Sequence, residues 1–217
     1  MSRPRKYRTG AGGRIVFAAV FALVPALAIT TTTFEIIGAT PPGALPQKKI
    51  EPNLAAGLNL QMRRLWHALS LGSDTLAAQV FFPRTAYIRM KTGQIPDPGA
   101  DYANRLIGFL DLDVAAYHHA LFSNPHVVFE RVLASRSDAA WIAPGACENR
   151  IGYWHLPGVR LVFRVGGRVE SVGVDSLISW RGVWYVVHLG PNPRPAAIGT
   201  LDNFHAGPGT PGPAGGC

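Results

Sequence analysis

Three alternating apolar runs near the carboxyl end are joined by two-residue links that contain glycine: VRLVFRV, Gly166 and Gly167, RVESVGVDSLISW, Arg181 and Gly182, then VWYVVHLG. Links this short connect only neighbouring antiparallel strands, because a parallel pair needs a crossover of a dozen or more residues. The segment therefore predicts an antiparallel three-strand meander. Alternation groups Val159, Leu161, Phe163 and Val165 on one face of its first strand, and Val183, Tyr185, Val187 and Leu189 on one face of its third. These are the expected core faces. The opposite faces carry Arg160, Val162 and Arg164 on one strand and Trp184, Val186 and His188 on the other. Upstream, VVFERVLAS, AAWIA and IGYWHL read as further strands.

Before Val127 the apolar period is near four. Asn53 precedes Leu54, Leu58, Met62, Leu65 and Leu69, a single helical stripe that Gly72 ends. Ser73 or Asp74 caps a second helix through Leu76, Val80 and Phe81, and Pro83 separates it from TAYIRMKTG, about two more turns. Asp97 and Pro98 begin the longest pattern, Pro98 to Phe122, which SNPH breaks. With 217 residues, 47% of them hydrophobic, the chain is not mostly disordered, and one sizeable core is the default. The expected fold is α+β over about residues 53–190: amino-terminal helices on a curved antiparallel sheet that ends in the meander.

Arg3, Arg5, Lys6, Arg8 and Arg14 precede the apolar run Ile15 to Ile29, and no acidic residue occurs before Glu35. That pattern is a secretory n-region and h-region. Fifteen residues give roughly 22 Å of helix against a hydrocarbon core of about 30 Å, so a membrane span would have to recruit the threonines that follow. Ala26 and Ala28 form an A-x-A cleavage pattern. Residues 1–37 are accordingly either a cleaved signal peptide or an amino-terminal anchor, and either one delivers the rest to the cell envelope outside the cytoplasm. Without the five leading basic residues, 16 Lys and Arg face 13 Asp and Glu, so the exported part carries about +3 rather than +8. Nucleic acid is therefore not an expected partner; the membrane is, through the leader. No cysteine directly follows the apolar run, as lipid attachment would require.

Residues 38–52 are rich in proline and aperiodic, an extended linker. Residues 191–217 hold six Pro and six Gly with almost no large apolar side chains, and are expected to be extended or disordered. Cys147 and Cys217 are the only cysteines. In an oxidising compartment such a pair reads first as one disulfide, which would pin the tail to the sheet; free or intermolecular thiols are the alternative.

No nucleotide-binding, nucleophile-elbow or zinc-ribbon motif is present, and no cofactor is expected. In DLDVAAYHH, Asp111 and His118 are two helical turns apart, too far to share one metal ion, and no metal site is assigned. Asp113 falls on the Tyr102, Leu106 and Phe109 stripe, where a carboxylate is costly unless paired, and is the best candidate for a functional or network-forming acid. His155 and His188 neighbour Trp154 and Trp184 in strands and are candidates as bases or as packed, hydrogen-bonded residues. Arg160, Arg164, Trp184 and His188 are the candidates for a concave face that takes an acidic or amphiphilic ligand. The function expected is that of a noncatalytic ligand- or partner-binding module of the envelope. The alternative is a small hydrolase or isomerase with a pocket using Asp113 and His155 or His188.

The block CENRIGYWHLPGVRLVF, the stretch Ser176 to Gly190 and the closing GPGTPGPAGGC resemble a group of actinobacterial, mycobacterial-type exported proteins of unknown function. The resemblance implies an envelope location and brings no reaction. Element order, helices first and then a sheet ending in a Trp-rich hairpin, also looks like the cone-shaped fold of nuclear-transport-factor-like domains.

Overall fold

The structure is a computed structural model that describes residues 46–123, 126–194 and 197–216. The expected export segment and the first part of the linker lie outside the described residues. Among the described residues no helix is long and apolar enough to cross a membrane. The fold is α+β, with helices against a six-stranded antiparallel sheet.

The helical half comprises α1 (Ala56–Ser70), α2 (Asp74–Ala77), α3 (Arg84–Met90), α4 (Pro98–Asp101), a π-helical stretch (Tyr102–Ile107) and α5 (Gly108–Phe122). Ser73 caps α2 by accepting from the Leu76 amide at 3.4 Å, and Asp97 caps α4 by accepting from the Ala100 amide at 2.9 Å. Helix α2 stops earlier than its apolar spacing predicts. Val80 and Phe82 leave it to pair with the backbone of Val186, which covers the edge of the sheet there. Leu58, Met62, Leu65 and Leu69 of α1 are fully buried, as the stripe requires.

The sheet comprises β1 (Val127–Leu133), β2 (Ala140–Ile142), β3 (Tyr153–Val165), β4 (Arg168–Trp180), β5 (Val183–His188) and β6 (His205–Ala206). Strands β1, β3, β4 and β5 lie side by side in that order, while β2 pairs with β3 and β6 with β4. The two glycine-containing links make the β3–β4–β5 meander. IGYWHL and VRLVFRV, separated in sequence by Pro157 and Gly158, are one continuous strand, β3. Gly158 makes this possible with φ +59°, and it stands where the phase of burial shifts from Leu156 to Val159, Leu161 and Phe163. Trp66 of α1 packs against Phe163 in a tilted arrangement with ring centroids 5.3 Å apart, placing α1 on that face.

The phase of β5 differs from expectation. Trp184 and Val186 are its buried residues, and Val183, Tyr185 and Val187 are only partly buried. A register shift against β4 between Ser176 and Leu177 pairs Leu177 with Val186 and Ser179 with Trp184, so their side chains share the core face.

Both chain segments read as aperiodic are fastened to this framework. In residues 46–52, the Gln47 side chain accepts from the Arg181 amide at 2.6 Å and donates to the Gly152 carbonyl at 3.0 Å. The Pro52 carbonyl accepts from Trp184 Nε1 at 3.2 Å. The carboxyl-terminal segment takes an extended course back across the sheet. It contributes β6 to the edge of β4, then brings the Gly212 amide to the Gly158 carbonyl at 3.3 Å and the Gly215 amide to the Asp138 carbonyl at 2.8 Å. Polar and backbone contacts do there what apolar burial does elsewhere in the fold.

Candidate functional site

Asp113 sits on α5 with 1% of its surface exposed and is fully engaged. Arg194 of the tail grips both carboxylate oxygens at 2.7 Å, and the amides of Gly190 and Thr200 donate to it at 2.9 and 3.1 Å. The carboxylate raises the affinity of Arg194 for its proton still further. One turn further along α5, Tyr117 shares its hydroxyl proton between the carbonyls of Gly173 and Leu189, at 2.8 and 3.1 Å, and accepts from the Asp202 amide at 2.8 Å. Asp113 and Tyr117 together clamp the tail to the helices. The network-forming role is the one this geometry describes, and Asp113 does not meet either candidate histidine.

The expected concave face is not assembled as one surface. Arg160 is buried, donates to Ser171 Oγ at 2.6 Å and is backed by Gly209 of the tail, where an added Cβ would lie 2.7 Å from its Nε. Arg164 is on the exposed hairpin, paired with Glu130 at 2.7 Å and donating to the Gly167 carbonyl. Trp184 is in the core. Of the four, His188 lines the cleft described next, and Trp184 lines a separate cavity of about 510 Å3 together with Gln61 and Arg64.

His188 and His155 do come together. They line two adjoining cavities, of about 360 and 210 Å3, which share His155, Ser176, His188 and Asn192. The larger lobe holds the carboxyls of the cleft, Asp175 from β4 and Asp202 from the tail, with Asn203 beside them in its wall. The smaller lobe runs toward Phe82, Tyr87, Met90, Leu106 and Ile178, with Lys91, Arg105 and Asn149 also in its wall. Pro213 closes part of the first lobe and Gly216 part of the second, so tail residues wall both.

The electrostatics follow from this enclosure. Burial, reinforced by the neighbouring Asp202 carboxylate, pushes the Asp175 carboxyl up to about 7. Burial also raises Asp202, against the opposing pull of Arg160. His188 is driven down to about 3, first by burial and then by the positive charges of Arg105 and Arg194. His155 is lowered by burial. Both imidazoles are therefore neutral near pH 7.

The hydrogen bonds of His155 determine its tautomer. The Gly216 amide donates to Nδ1 at 3.3 Å, so the ring proton lies on Nε2 and is donated to Ser176 Oγ at 2.7 Å. A base that activates Ser176 would need Nε2 free to accept, the opposite arrangement. Among the described residues no group of three or more His, Cys, Asp or Glu side chains is placed to hold a metal ion.

Asp175, Ser176, Asn192 and Asp202 were not singled out from sequence. Asp175 and Ser176 look like ordinary polar positions of an alternating strand, and nothing local announces that Asp202, 27 positions later, returns beside them. Cys147 lines the smaller lobe together with Gly216, the residue before Cys217. Comparison with protein-family models, curated proteins and solved structures gives no match for this chain.

Proposed function

We propose that the chain is an exported or membrane-anchored protein of the cell envelope whose two-lobed cleft binds an amphiphilic ligand without chemical transformation. The observation that carries this reading is the pairing of a lobe that holds the carboxyls of Asp175 and Asp202 with one that joins Phe82, Met90 and Ile178 to the cations Lys91 and Arg105, across His155 and His188. A ligand with a polar head and a short apolar tail matches both. Two of the three groups that would serve a hydrolase or isomerase are already engaged, Asp113 by Arg194 and the His155 ring proton by Ser176. The basic leader and its apolar run support export, as does the resemblance to exported actinobacterial proteins. A disulfide between Cys147 and Cys217, the latter outside the described residues, fits that compartment.

The test is titration of the exported chain, methyl-labelled at methionine, with single-chain amphiphiles of anionic, zwitterionic and cationic head group below their micelle concentrations. Saturable shifts at Met90, weakened at least about tenfold by Ile178→Asp, support the reading. No saturable shift with any of the three overturns it. Turnover of ester analogues that Ser176→Ala abolishes would establish the hydrolase instead.

A further inference from the structure

We infer that residues 207–216 are a redox-held roof over the cleft: the Cys147–Cys217 bridge keeps the tail seated on His155, and its reduction opens both lobes and frees the imidazole. The biological use of such a roof rests on the ligand-binding reading above; the latch itself does not.

Among the described residues little else holds this segment. Its ten residues are five Gly, three Pro, one Thr and one Ala, so it brings no large apolar side chain to the domain. Four hydrogen bonds from its own amides attach it: Gly207 to Val169 at 2.9 Å, Gly212 to Gly158 at 3.3 Å, Gly215 to Asp138 at 2.8 Å, and Gly216 to His155 Nδ1 at 3.3 Å. Net stabilisation from four such bonds does not offset the entropy lost in ordering ten residues rich in glycine. The preceding segment is different, because Arg194, Thr200 and Asp202 are tied to Asp113 and Tyr117. Release is therefore confined to the stretch after β6.

The position of the roof gives the bridge its consequence. Gly158 and Gly212 are so close that a Cβ on Gly158 would lie 2.1 Å from the Gly212 carbonyl oxygen, and Gly212 and Pro213 wall the polar lobe. Gly216 walls the other lobe beside Cys147, and Cys217 is the next residue. A disulfide oxidant joins the two thiols by exchange: one protein thiolate attacks the oxidant's disulfide, the second displaces the mixed disulfide, and two electrons and two protons leave on the oxidant as its dithiol. A dithiol reductant returns them: its thiolate attacks one sulfur of the bridge, and its second thiol displaces the protein thiol and closes the reductant's own disulfide. With the tail released, Nδ1 of His155 is open to water, either tautomer forms, and Nε2 can accept from Ser176.

The experiment uses the full exported product, 15N-labelled at histidine. The expected mass before reduction is two hydrogens below that of the dithiol form. In the oxidised protein His155 shows one tautomer, with the proton on Nε2. On addition of dithiothreitol its two nitrogen shifts move toward a mixture, and diethyl pyrocarbonate modifies His155 at least about tenfold faster. Cys217→Ser behaves as the reduced protein without reductant, and reduced wild type answers the question should that variant not fold. Two alkylatable thiols in the exported protein, or a His155 signal and modification rate indifferent to reduction, overturn the proposal. Neither readout uses a ligand, so failure of amphiphile binding and failure of the latch are separately visible.

Discussion

Arg194 and Asp113, 81 positions apart, form a two-point ion pair at 2.7 Å with 3% and 1% of their side chains exposed. Removing one partner of such a pair leaves an uncompensated buried charge, at a cost of about 3–5 kcal/mol. Arg194→Ala is expected to lower stability by that amount in urea unfolding. The amides of Gly190 and Thr200 donate to different oxygens of Asp113, so Asp113→Asn keeps at most one of these two interactions, turns an NH2 toward the other amide or toward Arg194, and is expected to lose a comparable amount. The double variant Asp113→Leu, Arg194→Leu leaves no orphaned charge and should be less destabilised than the two single losses added together. Additive losses would mean that the two residues act independently.

The helices and most strands were legible because each rests on a local period: the stripe of α1, the continuous pattern from Pro98 to Phe122, and the meander with its two-residue links. The phase of β5 was not, because Val183, Tyr185 and Val187 alternate as convincingly as Trp184 and Val186. The shift at Ser176 and Leu177 that decides between them is a property of two strands together. The break read at Pro157 and Gly158 failed for a related reason: a glycine at positive φ lets a strand continue with its phase changed. The site was the least legible part. His155 and His188 were candidates by residue type, but Asp175 and Asp202 meet only because a tail with no apolar pattern is drawn back by Arg194, and polar anchoring of that kind leaves no periodicity.

Gly158 and Gly166 provide a measurement of how tightly the tail seats. Both are left-handed, at φ +59° and +54°, so alanine at either carries a similar backbone penalty of about 1–2 kcal/mol. They differ in surroundings: a Cβ at Gly166 meets nothing within 4 Å, whereas one at Gly158 collides with Gly212. Gly158→Ala should therefore cost about 1–3 kcal/mol more than Gly166→Ala, or displace the tail instead. Displacement would appear as proteolytic cleavage between β6 and the carboxyl end in Gly158→Ala alone. Equal costs and equal resistance to protease would show that the tail does not rest on Gly158.

The proposed delivery across the membrane would set the chemistry available to the cysteines, and it can be read without purifying the protein. A periplasmically active phosphatase fused after residue 190 should be active when the leader is intact. Replacing Val20, Phe21 and Leu23 by Asp should abolish that activity, because charged residues in the h-region prevent membrane insertion. Activity that survives the substitution would detach export from the leader.

The cleft also makes a signed prediction for stability against pH. Asp175 is raised to about 7 in the folded state, so between its ordinary value near 4 and about 7 the folded protein holds a proton that the unfolded chain has released. Its contribution falls as pH rises through that window and is level above it. His188 is depressed to about 3, so from about 3 to its ordinary value near 6.5 the unfolded chain is the one that binds the extra proton. Its contribution rises with pH over that range. The two slopes oppose each other between about pH 4 and 6.5 in the wild type, and single substitutions separate them. Asp175→Asn should make stability climb more steeply from pH 4 to 7, and His188→Gln should make it decline across the same interval, both measured by urea unfolding at fixed ionic strength. The charges that bear on His188 are Arg105, Arg194, Lys91 and His155, so salt should shrink its slope only modestly inside the enclosed cleft. Profiles for the two variants that run parallel to the wild type would mean that neither group is held away from its ordinary protonation equilibrium.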